Sequence, residues 1–169
     1  YTTSMCEMTL GVVGLGHIGK LVAKKGAGLG MKRVIAYDPF VTQEQVDEIG
    51  LPVTMVGEEE LFSTADVISL HLRLTPDTAK CINERLLGLM KPTAYLINTS
   101  RAGVVDKDAL VKALQEKKIG GCALDVFWEE PVPADDPILA LDNVTITPHN
   151  AGNVVDALPK SPLLLARKI

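Results

Sequence analysis

Short apolar runs alternate along most of the chain with segments whose apolar residues recur every three or four positions. A short apolar run reads as a buried strand, and the longer period reads as a helix with one buried face. On this pattern residues 9–15 predict a strand. Residues 18–28 predict a helix, since Ile18, Leu21, Val22 and Ala27 recur at near-helical spacing and Gly28 and Gly30 stop it. RVIAYD is the next strand, ending at Asp38 and broken by Pro39. Residues 42–50 predict a short helix, 52–56 a strand, and 58–63 a helix whose Glu58, Glu59 and Glu60 suit its positive amino end. Residues 66–71, DVISLH, form another buried strand, and the T-P-D-T turn after it offers an N-cap ahead of the helical pattern INERLLGLM. AYLINTS and GCALDVF are strands joined by the amphipathic helix VVDKDALVKALQEKKI, with Gly120-Gly121 as its stop. A Pro-rich acidic connection, EEPVPADDP, then leads through ILAL to the strand NVTITP.

Strands that alternate with helices in this way pair in parallel, with helices on both faces of the sheet. The first strand runs into L-G-V-V-G-L-G-H-I-G, which places Gly14, Gly16 and Gly19 in the G-x-G-x-x-G spacing of a dinucleotide-binding turn. Gly14 permits the tight turn, Gly16 lets a pyrophosphate approach the backbone, and Gly19 lets the helix pack on the strand. Three glycines also fit an ordinary strand-to-helix turn, so the downstream residues decide. Asp38 stands 19 positions beyond Gly19, where such a unit carries the acid that hydrogen-bonds the adenosine ribose. Its charge would repel a 2′-phosphate, which points to NAD rather than NADP. The predicted fold is therefore α/β, a Rossmann-type doubly wound parallel sheet, with residues 1–169 forming one dinucleotide-binding domain.

Composition narrows the classes further. With 169 residues, 47% of them hydrophobic and 22% charged, the chain can bury one sizeable core. A net charge of −4 supplies no basic field for nucleic acid or acidic membranes. Cys6, Cys81 and Cys122 are odd in number and lack C-x-x-C spacing, which suggests neither a disulfide framework nor a metal site and fits a reducing, cytoplasmic setting. No apolar run approaches the roughly 18 residues of a membrane span.

In open α/β sheets ligands collect beyond the carboxyl ends of the strands. Here those ends carry the glycine turn, Asp38, His71, residues 99–101, residues 125–130 and His149. Arg101 offers a planar fork of donors that suits a carboxylate or a developing alkoxide, although an arginine paired with a surface acid would look the same. His149, between Pro148 and Asn150, could exchange a proton near neutral pH. Glu129 or Glu130 could hold its tautomer, while loop glutamates and loop histidines are commonly just solvated.

Six segments in order, V-G-L-G-H-I-G, Y-D-P, D-V-I-S-L-H with L-T-P-D-T, N-T-S-R-A-G-V-V-D, A-L-D-V-F-W-E-E-P and T-P-H-N-A-G, make the chain resemble the D-isomer-specific 2-hydroxyacid dehydrogenases. The resemblance covers about residues 9–152, the nicotinamide-binding domain of that family. It implies hydride transfer between NAD and a 2-hydroxy or 2-oxo acid. Arg101 would hold the substrate carboxylate and carbonyl, His149 would be the general acid/base, and Glu130, directly before Pro131, would pair with His149 in preference to Glu129. His17, Ile18, Asp38, Leu72, Thr99, Asp125 and Gly152 match positions that line the cofactor, beside Gly14, Gly16, Gly19, Arg101 and His149. Homodimerisation through this domain, common in the family, is also implied.

Two departures stand out. Arg73 replaces a proline frequent in relatives and is expected to face solvent. The family's substrate-binding domain, built mostly from residues before the cofactor domain, is expected to lie outside this chain, and Pro159 and Pro162 break the usual helical return. Alone, the chain is therefore expected to bind NAD but to turn over weakly or not at all. A corepressor-like NAD sensor of the same fold is the alternative. A short-chain dehydrogenase is disfavoured because neither Tyr1, Tyr37 nor Tyr95 is followed four residues later by lysine.

Overall fold

The structure, a computed structural model, describes residues 3–153. The tail with Pro159 and Pro162 lies outside them. Seven strands are present among the described residues: β1 Thr9–Val13, β2 Arg33–Tyr37, β3 Thr54–Met55, β4 Val67–Leu70, β5 Tyr95–Asn98, β6 Gly121–Leu124 and β7 Val144–Ile146. All pair in parallel in the order β3-β2-β1-β4-β5-β6-β7. The direction of winding reverses between β1 and β4, so a crevice opens at their carboxyl ends. This is the doubly wound α/β fold that the alternating pattern predicts.

Helices α1 His17–Gly28, α2 Gln43–Glu48, α3 Glu58–Thr64, α4 Glu84–Leu89 and α5 Lys107–Gln115 cover the sheet. Leu10, Val12, Val34 and Ala36 on one face pack against Ala23 of α1 and Val46 of α2. Val13, Ile68, Leu70, Leu96 and Leu124 on the opposite face pack against α3, α4 and α5 through Phe62, Leu86 and Leu110. The first face continues across β4–β7 as Val67, Tyr95, Ile97, Ala123 and Thr145. Among the described residues no helix covers it there, and it lines a shallow depression of about 560 Å3.

Several elements are shorter than their sequence pattern, for local reasons. The helix expected over 104–119 begins only at Lys107, because Ala102–Val104 forms a 3-10 turn and the Asp106 carboxylate caps α5 by accepting from the Asp108 and Ala109 N–H groups at 3.1 and 3.3 Å. It ends at Gln115, ahead of Gly120-Gly121, where Lys117 takes a left-handed φ of 52°. T-P-D-T does not cap the following helix. Thr78 closes its own turn, its hydroxyl donating to the Arg73 carbonyl at 2.6 Å, while Asn83 caps α4 by accepting from the Leu86 N–H at 3.2 Å.

The glycine turn sets how closely α1 sits on β1. Gly14 has φ +90°, and a Cβ there would lie 2.7 Å from the His71 carbonyl oxygen. A Cβ at Gly19 would lie 1.9 Å from the Gly14 carbonyl oxygen, a backbone atom that cannot swing away. Gly16 differs, since a Cβ there meets nothing within 4 Å and its φ of −65° is open to any residue. Gly19→Ala is therefore expected to destabilise the domain by about 3 kcal/mol, and Gly16→Ala to stay within about 1 kcal/mol of the parent, by urea unfolding. Equal losses from the two substitutions would contradict this reading of the turn.

Candidate functional site

Residues from three strand ends converge on the crevice at the reversal point, which has a volume of about 340 Å3. Gly16, His17 and Ile18 enter from the β1–α1 turn, His71, Leu72 and Arg73 from the end of β4, and Thr99, Ser100 and Arg101 from the end of β5. The first intrahelical hydrogen bond of α1 runs from Lys20 N–H to Gly16 carbonyl at 3.1 Å, so the N–H groups of the helix's first turn precede the ladder. With the positive end of the helix dipole they form a seat for an anion. Gly16 leaves that seat open on the crevice side, because no neighbour lies where a Cβ would stand.

Asp38 sits one residue past β2, and its carboxylate accepts from the Leu15 N–H at 2.8 Å and the Phe40 N–H at 2.9 Å. It thereby ties the glycine turn to the second strand. Each oxygen retains a lone pair for a ribose hydroxyl. The site thus presents donors for a pyrophosphate and acceptors for a diol, a set that fits a dinucleotide.

Beside the crevice, Arg101 is exposed and its Nη1 donates to the Ser100 carbonyl at 2.7 Å. No carboxylate among the described residues lies within ion-pair distance of it. His71, singled out as a strand-end residue but given no role on sequence grounds, lines the crevice, with its Nε2 2.9 Å from the Ser69 hydroxyl. Burial pushes its imidazole below the ordinary value, which keeps the ring neutral at neutral pH. Strand-end position was the available signal for it. Arg73 is exposed, as expected, yet also forms part of the crevice wall.

His149 and Glu130 form a second cluster, beyond β6 and β7, and neither lines the crevice itself. The His149 Nδ1 is 2.8 Å from Glu130 Oε2 and 3.0 Å from Oε1. The hydrogen bond from His149, followed by one from the Phe127 N–H, holds the Glu130 carboxyl below its ordinary value. An ionised carboxylate only accepts, so Nδ1 carries a proton and, in the neutral ring, Nε2 is the nitrogen that keeps its lone pair. Glu129 takes no part in this pair. The His149 backbone lies in the left-handed region at φ 49°, uncommon for a residue with a side chain.

What holds that backbone is Asp125, 3% exposed just past β6. Its carboxylate accepts from the Thr147 hydroxyl at 2.5 Å and from the N–H groups of Asn150 and Ala151 at 3.0 and 2.9 Å. Burial pushes the carboxyl up, but these hydrogen bonds outweigh it and leave it below its ordinary value of 3.8. The side chain is thus turned into the 147–151 loop. Gly152, also expected near a cofactor, is exposed with open space around it. Among the described residues no three His, Cys, Asp or Glu side chains cluster as metal ligands, and no helix is long and apolar enough to cross a membrane.

Comparison with known proteins matches this arrangement. The profile of the family described as D-isomer specific 2-hydroxyacid dehydrogenase, NAD binding domain, matches residues 1–151. The chain is 48% identical over 155 residues to a D-3-phosphoglycerate dehydrogenase of Synechocystis sp., covering 92% of this chain and 27% of that protein. It is 48% identical over 143 residues to a glyoxylate reductase of Korarchaeum cryptofilum, covering 85% and 42%. The crystal structure of a D-isomer specific 2-hydroxyacid dehydrogenase from Lactobacillus delbrueckii ssp. bulgaricus in NAD-complexed form superposes with a TM-score of 0.83 at 32% identity, over 99% of this chain and 56% of that one. The chain spans roughly a quarter to a half of the length of the two enzymes matched by sequence.

The Asp125 contacts generate a pH-dependent expectation. A carboxyl whose folded pKa is depressed contributes fully above its unfolded value and ceases to as pH falls through the folded one. Amide exchange protection at Asn150 and Ala151 should therefore be present above pH 3.8, fall away at lower pH, and be absent at every pH in Asp125→Ala. Protection that survives the substitution would show that the loop stands without the carboxylate.

Proposed function

This chain belongs to the D-isomer-specific 2-hydroxyacid dehydrogenase family as its NAD-binding domain, and we propose that it serves an enzyme interconverting a small 2-hydroxy acid and the matching 2-oxo acid. The observation that carries this reading is the His149–Glu130 pair at 2.8 Å, set at the same edge of the sheet as Arg101. A binding protein of the same fold has no chemical need for an imidazole whose tautomer is held by an ionised carboxylate.

When bound, NAD supplies the hydride acceptor or donor. The residues do the rest. The α1 amino end, open at Gly16, seats the pyrophosphate, and Asp38 takes the ribose hydroxyls. Arg101 holds the substrate carboxylate through two parallel donors and faces the oxygen that gains negative charge in reduction. His149 Nε2 takes the hydroxyl proton in oxidation and returns it in reduction, while Glu130 keeps Nδ1 protonated and stabilises the imidazolium. Leu72 and Thr99 line the cofactor channel with His17 and Ile18. The working protein is a homodimer of the cytoplasm, a reading supported by the family resemblance and by three cysteines without C-x-x-C spacing.

Calorimetry on this chain should show NAD binding at least roughly tenfold tighter than NADP, and Asp38→Ala should shrink that preference. Equal affinity for the two dinucleotides would remove Asp38 from cofactor selection. In the full-length enzyme, His149→Ala should lower kcat about 100-fold or more with NADH affinity retained. Turnover that survives the substitution would exclude His149 as the acid/base.

A further inference from the structure

The last register row of the sheet runs Val13, Leu70, Asn98, Leu124 and Ile146 across β1, β4, β5, β6 and β7. Four of these are apolar. Asn98 is 0% exposed between Leu70 and Leu124, themselves at 0% and 2%. A primary amide in such a place is costly unless its hydrogen bonds are made, and the sheet needs nothing there beyond a buried side chain the size of leucine.

Every side-chain hydrogen bond of Asn98 goes to the turn that carries Arg101. Its Oδ1 accepts from the Ser100 N–H at 3.0 Å and from the Ser100 hydroxyl at 2.8 Å. Its Nδ2 donates to the Arg101 carbonyl at 3.0 Å. The amide therefore fixes the peptide before Ser100 and the peptide after Arg101. Between those two lies the peptide whose carbonyl oxygen receives the Arg101 guanidinium at 2.7 Å. Both ends of that peptide are pinned, so the carbonyl and the guanidinium resting on it share one orientation. Arg101 is exposed and, among the described residues, has neither a carboxylate partner nor another hydrogen bond to hold its side chain.

We propose that Asn98 is the positioning residue for Arg101, its buried amide setting the direction in which the guanidinium meets the substrate carboxylate. The proposal rests on the dehydrogenase reading above, in which Arg101 binds that carboxylate. Asn98 touches neither substrate nor cofactor in this account and is not a catalytic residue. Its loss leaves the pyrophosphate seat at the α1 amino end unchanged and loosens the turn that carries Arg101.

The test is a double-substitution cycle in the full-length enzyme, with Asn98→Leu and Arg101→Ala made singly and together. Leucine matches the neighbouring row, so the fold and NADH affinity should be retained, the latter within about twofold. KM for the 2-oxo acid should rise roughly tenfold or more while kcat falls less, because the lost element is orientation of a binding group. In the Arg101→Ala background, Asn98→Leu should have almost no further effect. An equal loss in both backgrounds, or an unchanged KM beside Arg101, would overturn the proposal, as would a parallel loss of NADH binding. Should the leucine variant not fold, Asn98→Asp carries the test, since it keeps the two acceptor contacts to Ser100 but loses the donor to Arg101. It should raise KM only when Arg101 is present, and an effect independent of Arg101 would overturn the proposal. Failure of the parent enzyme itself to reduce any 2-oxo acid with NADH would instead count against the dehydrogenase reading.

Discussion

The backbone of α1 rests on the backbone of β1, and the rest of the molecule is arranged around that contact. Where Gly19 meets the Gly14 carbonyl there is no room for a side chain, and Gly14 itself turns at a φ that most residues avoid. Helix α1 can then begin directly above the carboxyl end of β1, with its unpaired N–H groups facing the crevice rather than solvent at large. Once α1 lies on one face and α3 crosses back over the other, β4 must fall beside β1, and the reversal that opens the crevice follows. The Asp38 bond to Leu15 N–H locks the same turn from the neighbouring strand.

Around this apolar frame the polar side chains at the sheet's carboxyl edge do two kinds of work. Asn98 and Asp125 are buried and turned back into the chain, each satisfied by the loop that follows its own strand or the next. Arg101, His149 and Glu130 are exposed and turned outward. The buried members supply the rigidity that exposed members lack, because an unmade hydrogen bond is expensive only where water cannot replace it. A strained His149 backbone persists because Asp125 holds the residues on both sides of it.

Much of this was legible in the chain. The strands are nearly continuous apolar runs because one face of the parallel sheet is buried throughout and both are buried at β1, and that composition survives in sequence without any knowledge of pairing. The glycine spacing and Asp38 are local in sequence, so the proposed dinucleotide seat is read from one β-α-β stretch. The boundaries of α5 were not legible, because Asp106 as a cap and Lys117 in a left-handed conformation are side-chain and backbone choices that a helical period does not reveal. T-P-D-T looked like a cap and proved to be a closed turn, since Thr78 has its partners at Arg73 and Thr75 rather than in the following helix. Asp125 matched a cofactor-lining position by resemblance, but its orientation into the 147–151 loop depends on β7 lying beside β6, a tertiary fact. His71 and Arg73 entered the crevice wall for the same reason, through β4 standing next to β1.

The central claim is that a nucleotide lies across the carboxyl edge of the sheet between β1 and β4. It is tested most directly by following backbone amide resonances of this chain as NAD is added. Shifts should concentrate at residues 14–19, at Asp38 and at residues 99–101, with little change along the half-open face of β4–β7 near Tyr95, Ala123 and Asn143. Shifts centred on that face, with the glycine turn unmoved, would contradict the account.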